Sequence, residues 1–243
     1  MQLREALKTG LRTLVESGVP SPELAAELLL MHILGRHRGY LYAYPEAEIS
    51  EEITRRYFQA VEERATGKPT QYITGHQEFW GLDLEVTPDV LIPRPETEHV
   101  VEAVIDLARR QGFERDAPLR IVDVGTGSGC IALALAAEFP RAVLFATDIS
   151  RPALEVASRN AERLGMAERV KFLETDLLAF FLDARAPGQD FNQGPNENFL
   201  GAFDFVVSNP PYVAADELDC VQREVRQFEP RIAWGGLERG DEV

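Results

Sequence analysis

The fold is decided by residues 121–129, which read Ile-Val-Asp-Val-Gly-Thr-Gly-Ser-Gly. The β-branched apolar start predicts a strand, and the apolar run from Ile131 to Glu138 predicts a helix. The three glycines between them allow a sharp turn and let a ligand lie against the backbone without a Cβ in the way. This segment therefore predicts a strand, a ligand-binding loop and a helix in succession.

Strands and helices alternate through the C-terminal half of the chain. We predict strands at 119–124, 142–147, 170–173 and 203–207, and helices at 96–110, 131–138 and 152–164. This alternation is typical of a mostly parallel sheet with helices on both faces, the α/β doubly wound, Rossmann-like class. Residues 184–201 are rich in Gly, Pro, Asn and Gln, which predicts a surface loop.

The N-terminal part of the chain has a different pattern. Apolar residues recur at helical spacing over residues 3–66, which predicts a small all-α domain. Residues 79–86 partly alternate between apolar and polar, as in a pair of strands. We therefore expect a helical domain at 1–70, a β-type connector at 71–95 and the α/β domain at 96–243.

An acidic residue follows the glycine loop at the spacing of a nucleoside-binding site. Asp148 ends the second strand of the α/β domain, 19 residues past Gly129, where a carboxylate can accept hydrogen bonds from both ribose hydroxyls. Gly127, Gly129 and Ala132 fit a loose dinucleotide pattern, so an NAD-dependent oxidoreductase remains an alternative, although no hydride-site histidine is evident.

The acids around the loop favour a cationic cofactor over a dinucleotide. Asp123, at the end of the first strand, would repel a pyrophosphate but suits S-adenosylmethionine, which carries a sulfonium and an ammonium and no phosphate. Asp176, after the third strand, can accept a hydrogen bond from an adenine amino group, with Leu177 packing beside the ring. We expect the cofactor to be S-adenosylmethionine.

The fourth strand leads into Asn209-Pro210-Pro211-Tyr212. A planar nitrogen is a poor nucleophile because its lone pair is delocalised, so an enzyme must aim that lone pair at the methyl group. The Asn209 side-chain oxygen and the Pro210 carbonyl can accept both N–H bonds of one NH₂ group, and prolines make such a carbonyl rigid. Tyr212 offers a flat face. The motif predicts methyl transfer by positioning, with no general base needed beforehand.

These two motifs together resemble the amino-group methyltransferases that use S-adenosylmethionine. Ile92-Pro93-Arg94-Pro95-Glu96-Thr97-Glu98, the helical N-terminal domain and Phe228-Glu229-Pro230 more narrowly resemble HemK-type protein-(glutamine-N5) methyltransferases. The resemblance implies methylation of a glutamine amide in the Gly-Gly-Gln loop of peptide chain release factors, with the helical domain helping to dock them. It implies that the cofactor is lined by Gly125, Thr126, Gly127, Ser128, Gly129, Asp148, Asp176, Leu177 and Asn209. It assigns the grip on the glutamine to Asn209–Tyr212.

The C-terminal end departs from the resemblance. Members of this fold have seven strands, and only 35 residues follow Ser208. We therefore expect the C-terminal strands to be missing and the strand at 203–207 to be left as an apolar edge. This leaves open a non-catalytic chain that binds cofactor or release factor without turnover.

Charge and composition exclude other classes. Residues 1–70 contain 9 Lys/Arg and 10 Asp/Glu, and residues 71–243 contain 16 and 30. So acidic a main domain argues against the remaining alternative, a nucleic-acid amino methyltransferase of the N6-adenine type. The four histidines lack metal-ligand spacing, and no apolar run is long enough to span a membrane. Two cysteines cannot form a disulfide framework, so we expect a cytoplasmic enzyme.

Overall fold

The structure is a computed structural model that describes residues 1–182, 203–211, 213 and 221–235 of the 243-residue chain. It divides into two compact units, Met1–Gly75 with Val221–Phe228 and His76–Cys220 with Glu229–Val243. Across the described residues, no helix combines the length and the apolar character that a bilayer crossing requires. The loop predicted at residues 184–201 lies outside the described part of the chain.

The first unit is helical, as predicted. Its core is formed by α1, α2 and α4, which pack around the buried side chains of Leu14, Leu29 and Tyr57. The Ser50 hydroxyl caps α4 by accepting a hydrogen bond from Ile53 N at 3.2 Å. Helices of the N-terminal segment are α1 (Leu3–Glu16), α2 (Pro22–Leu34), α3 (Arg38–Ala43), α4 (Glu51–Ala65) and α5 (Thr70–Thr74).

Two of these helices were not predicted. The first, α3, has six residues, too few for helical periodicity to be visible in the sequence. The second, α5, follows Pro69 and ends at Gly75, whose φ of +78° is the left-handed conformation that commonly ends a helix. Residues 71–74, which we assigned to a β-type connector, therefore lie in a helix.

A β-hairpin opens the second unit, and it confirms the predicted strand pair. Strands β1 (His76–Phe79) and β2 (Leu82–Glu85) are antiparallel. The turn between them is Trp80-Gly81, and both residues have positive φ, +54° and +72°. Such turns match the twist of the paired strands. Trp80 is held by its backbone N–H, which donates to Glu98, and by its indole N–H, which donates to Glu138, both at 2.9 Å.

The main sheet of the second unit is parallel, with the order β5-β4-β3-β6. Its strands are β3 (Arg120–Val124), β4 (Val143–Asp148), β5 (Val170–Glu174) and β6 (Phe205–Ser208), and its helices are α6 (Glu98–Arg110), α7 (Cys130–Glu138), α8 (Arg151–Arg163) and α9 (Ala179–Leu182). Short 3₁₀ helices span Pro95–Thr97 and Arg231–Ala233. This is the predicted α/β architecture.

Both faces of the sheet are apolar, as in a doubly wound fold. Ile121 and Leu144 belong to a core shared with α6, α7 and α8. Their neighbours Val122 and Phe145 point the other way and pack with Phe181 of α9. Among the described strands, β6 pairs with β3 alone and forms one edge of the sheet.

A late segment of the chain belongs to the first unit. Helix α10 (Arg223–Phe228) carries Glu224, whose carboxylate lies 2.6 Å from the Arg64 guanidinium. The Arg64 side chain is 3% exposed and also donates to the carbonyl of Lys68. Leaving such a buried cation without its carboxylate would be costly, so this pair fixes residues 221–228 to the helical unit.

Candidate active site

The glycine loop after β3 presents open backbone on one side and close packing on the other. Gly125, Gly127 and Gly129 all have positive φ, at +72°, +55° and +83°. A Cβ placed on Gly125 or Gly127 would meet no atom within 4 Å, whereas a Cβ on Gly129 would lie 3.2 Å from side-chain carbons of Ala157 and Leu133. The first two glycines therefore leave room for a ligand, and the third allows α7 and α8 to approach.

Asp148, at the end of β4, is fixed by backbone donors. Its Oδ2 accepts a hydrogen bond from Gly127 N and its Oδ1 accepts one from Ser150 N, both at 2.9 Å. Each carboxylate oxygen keeps acceptor capacity for a further hydrogen bond. The half-buried carboxylate therefore has a defined orientation beside the loop, as a ribose-binding acid requires.

Asp123 does not lie where we expected it. We expected it to meet a cationic ligand, but it is fully buried beneath the loop. Its Oδ2 accepts hydrogen bonds from the Thr126 hydroxyl (2.7 Å) and from Ala132 N (3.2 Å) in the first turn of α7. The physical reason is that the first turn of a helix needs acceptors, and the N-cap residue, Gly129, has no side chain to supply one.

The same burial changes the acidity of Asp123. Removal from water raises the pKa of its carboxyl to about 6, the two hydrogen bonds oppose this, and the nearby charge of Asp148 raises it further. Within the described residues its Oδ1 has no hydrogen-bond partner. Asp123 therefore acts on a ligand only through the loop and through its charge.

The remaining residues expected to line the cofactor differ in exposure. Thr126 and Ser128 are buried, and the Thr126 hydroxyl is used on Asp123. Asp176 and Leu177 are exposed after β5, and Leu177 has φ +47°, a conformation that is strained for leucine. They sit beside Asp148, because Thr175 N donates to the Asp148 carbonyl at 3.0 Å.

The asparagine motif lies next to the glycine loop. Strands β3 and β6 are neighbours, Val124 pairs with Ser208, and the Ser208 hydroxyl donates to the Val124 carbonyl at 2.8 Å. Asn209 therefore leaves the sheet beside Gly125, at the carboxyl edge where open α/β sheets bind ligands. Pro210 and Pro211 are exposed, and Tyr212 lies outside the described residues.

Thr97 and Glu229 had no role assigned from the sequence, although both lie in motifs quoted above. Asn209 Nδ2 donates a hydrogen bond to the hydroxyl of buried Thr97 at 3.1 Å. Glu229, whose side chain is 2% exposed, accepts from the Arg94 guanidinium at 2.5 Å and from Ile92 N at 3.2 Å. Arg94 of the Pro-Arg-Pro-Glu-Thr-Glu segment is therefore the partner of a buried carboxylate. The sequence signalled the contacts of Thr97 and Glu229 only by placing these residues in the two motifs.

The described part of the chain offers little support for a metal site or for a cysteine nucleophile. No group of three or more His, Cys, Asp or Glu side chains there is placed to hold a metal ion. Cys130 begins α7, and burial raises the pKa of its thiol to about 12. A thiol that stays protonated at neutral pH is a poor nucleophile, in agreement with a packing role.

Comparison with known proteins identifies the family. Residues 5–75 match the family model for the PrmC N-terminal domain, and residues 110–236 match the model for the methyltransferase small domain. The chain is 48% identical over 243 residues to a release factor glutamine methyltransferase of Koribacter versatilis, covering 100% of this chain and 79% of that protein. The chain belongs to the release factor glutamine methyltransferase family.

Further relatives carry the same name. The release factor glutamine methyltransferases of Chlorobaculum tepidum and Bacillus subtilis are each 42% identical, over 94% and 93% of this chain and 74% and 72% of their own lengths. The solved N-terminal domain of human METTL16 in complex with SAH is 18% identical over 76% of this chain and 65% of that chain, with a TM-score of 0.43. That structure is too distant to inform the function of this family member.

Membership confirms that the chain is a methyltransferase and that its cofactor is S-adenosylmethionine. When bound, this cofactor supplies an electrophilic methyl group on a sulfonium. The residues present fit it, because Gly125 and Gly127 expose backbone that a Cβ would cover, and Asp148 holds a fixed carboxylate beside them. The acids Asp123, Asp148 and Asp176 at this edge suit its positive charge.

Proposed function

We propose that this chain transfers a methyl group from S-adenosylmethionine to the side-chain amide nitrogen (N5) of a glutamine in peptide chain release factors. The observation that carries the proposal is the position of Asn209, beside the glycine loop and with its Nδ2 bonded to Thr97. That hydrogen bond leaves the Asn209 oxygen as the acceptor for a substrate. The names of the relatives supply the substrate class.

The residues at the site act by orientation. The Asn209 oxygen and the Pro210 carbonyl accept the two N–H bonds of the glutamine amide, and Tyr212 covers its planar face. Held in this way, the nitrogen lone pair would point toward the side of the site where Gly125 and Gly127 would hold the cofactor. The glutamine nitrogen would bond to the methyl carbon as the bond from that carbon to sulfur breaks, which releases S-adenosylhomocysteine. The proton would leave the nitrogen for water afterwards, so no base is required first. Fixed dipoles of this kind lower the barrier without reorganisation.

The rest of the chain is assigned by the same proposal. The helical segment, residues 1–75, helps to dock the release factor, residues 76–95 connect it to the rest of the chain, and the α/β unit holds cofactor and glutamine. We place the reaction in the cytoplasm, in keeping with the two cysteines of the chain. A nucleic-acid amine is disfavoured because residues 71–243 carry 30 acidic and 16 basic residues.

The test offers labelled S-adenosylmethionine with a release factor, the same factor with its Gly-Gly-Gln glutamine replaced, a DNA duplex and an RNA, in parallel. We expect label on the intact release factor alone, and a loss of about 100-fold or more in kcat for Asn209→Ala. The matched control is Gln111→Ala, which removes an exposed amide at the far end of α6 and should keep full activity.

Each other outcome has a definite meaning. Label on DNA or RNA would replace the proposed substrate by a nucleic-acid amine. Bound cofactor with no label on any substrate would mean a binding protein without turnover. Full activity in Asn209→Ala would remove the grip on the amide from the mechanism.

A further inference from the structure

We infer that Thr97 is a positioning residue for methyl transfer, because its hydroxyl holds the side-chain amide of Asn209 in place at the substrate site. This inference rests on the proposed function. The observation is a single hydrogen bond across 112 residues of sequence, from Asn209 Nδ2 to Thr97 Oγ1, at 3.1 Å. Thr97 is 7% exposed, so water does not readily replace it as the acceptor.

The orientation of Asn209 matters because the two ends of its amide have nearly the same shape and opposite chemistry. With its NH₂ turned to Thr97, Asn209 presents an oxygen to the NH₂ group of the substrate. The reversed amide would present its own NH₂, so that two donors would face each other and the substrate amide would lose an acceptor. The Thr97 hydroxyl can accept from the Asn209 NH₂ or donate to its oxygen, so its role is to hold the amide in place. In the structure the NH₂ is turned to Thr97, which is the productive orientation.

The Thr97 hydroxyl can do this because its backbone is held firmly. Thr97 ends the 3₁₀ turn Pro95–Thr97, and its N–H donates to the Arg94 carbonyl at 3.0 Å. The Arg94 guanidinium is fixed in turn by buried Glu229, which also accepts from Ile92 N. Buried Glu229 thus holds the residues on the N-terminal side of the turn, and Thr97 is bonded back to Arg94 among them.

The experiment compares Thr97→Val, which keeps the shape and removes the hydroxyl, with Thr97→Ser, which keeps the hydroxyl and removes a methyl group. We expect kcat on the release factor to fall roughly five- to tenfold in Thr97→Val, the factor for one hydrogen bond. KM for the release factor and for S-adenosylmethionine should stay within about twofold, because ground-state contacts are retained. Thr97→Ser should keep kcat within about twofold of the parent.

A spectroscopic measurement separates orientation from a general packing defect. The side-chain NH₂ signals of Asn209, assigned by their absence in Asn209→Ala, should exchange with water slowly in the parent and in Thr97→Ser. They should exchange at least about tenfold faster in Thr97→Val, in the protein without substrate. This measurement needs no turnover. If Thr97→Val is too unstable for kinetics, the NH₂ exchange can be measured in Thr97→Ala, which also lacks the hydroxyl.

The outcomes distinguish this inference from the proposed function. A parent protein that labels no release factor refutes the proposed function, whatever the Thr97 variants do. An active parent with unchanged kcat and NH₂ exchange in Thr97→Val refutes the inference alone. Equal losses of kcat in the valine and serine variants would also overturn it, since the methyl group and not the hydroxyl would then be responsible.

Discussion

The loops after β3 and β6 leave neighbouring strands at the same edge of the sheet, yet they are held by different means. The loop after β3 turns on glycines with positive φ. Its Gly127 N–H donates to the Asp148 carboxylate, and its Gly125 and Thr126 N–H groups donate to the Thr147 carbonyl. The loop after β6 begins with Asn209 and two prolines, and Asn209 is held by Thr97 from a distant part of the sequence. The hydrogen bond to Asp148 that holds the first loop joins residues 21 apart in the sequence, and the one to Thr97 that holds the second joins residues 112 apart.

The buried carboxylates that support the two loops differ in the charge of their hydrogen-bond partners. Among the residues that the structure describes, Asp123 under the glycine loop meets neutral donors alone, the Thr126 hydroxyl and Ala132 N. Glu229, behind the Pro95–Thr97 turn, meets the Arg94 guanidinium. An unpaired buried charge is unfavourable, whereas a paired one becomes unfavourable only when its partner is removed. This difference can be measured.

The largest effect that we expect is a pH dependence of stability that Asp123→Asn removes. The pKa of the buried carboxyl is raised from its usual 3.8 to about 6, so between these values the folded protein keeps a proton that the unfolded chain has released. The free energy of unfolding therefore falls as pH rises through this window, by about 3 kcal/mol at most for this group. Urea unfolding of both proteins from pH 4 to pH 7.5 measures the difference.

Expressed as a difference between the two proteins, Asp123→Asn should gain stability relative to the parent as pH rises from 4 to about 6, and then stay level. Thr126→Val removes a hydrogen bond that favours the ionised carboxylate, so it should raise the upper pH limit of this window and leave the lower limit unchanged. A stability difference that is the same at every pH would show that Asp123 does not titrate under the loop as we describe.

The second prediction concerns the ion-paired carboxylate. Glu229→Gln keeps an acceptor for Ile92 N but leaves the Arg94 guanidinium without its charge partner. We expect the free energy of unfolding to fall by about 2 kcal/mol, less than for a fully buried pair because Arg94 is 32% exposed. Urea unfolding at pH 7.5 measures it.

The control for Glu229→Gln is Glu102→Gln on α6, which breaks an exposed pair with His99. Surface pairs contribute little, so this change should leave the free energy of unfolding nearly the same as in the parent. Equal losses in the two variants would mean that burial of Glu229 adds nothing, and the contrast between the two sides of the site would disappear.

The same contrast explains what could be predicted from the sequence. The strands, the glycine loop and the position of Asp148 follow from patterns within about 30 residues, and the structure confirms the strands and places Asp148 beside the loop. The family resemblance is confirmed by relatives. The roles of individual cofactor and substrate residues remain predictions, with Tyr212 outside the described residues.

The features that the sequence did not predict depend on contacts between distant residues or on the direction in which a side chain points. The sequence marks Thr97 and Glu229 only as parts of motifs, because nothing in the local pattern says that residues 97 and 209 meet. The direction of Asp123 was wrong because a strand-end carboxylate can face a ligand or a helix start, and residue type does not decide between them. The return of α10 to the helical unit depends on the pairing of Glu224 with Arg64, 160 residues apart.

The smallest effects should separate two glycines of one loop. Gly127→Ala and Gly129→Ala both place a Cβ at positive φ, which costs about 1 kcal/mol of stability each. Gly129→Ala also presses on Ala157 and Leu133, so we expect about 2 kcal/mol in total there and little change in cofactor affinity. The Cβ of Gly127→Ala enters the open space that we propose for the cofactor, so the Kd of this variant for S-adenosylmethionine should rise about tenfold or more. Calorimetric titration with urea unfolding measures both, and equal affinity losses would show that the two glycines do not divide packing from binding.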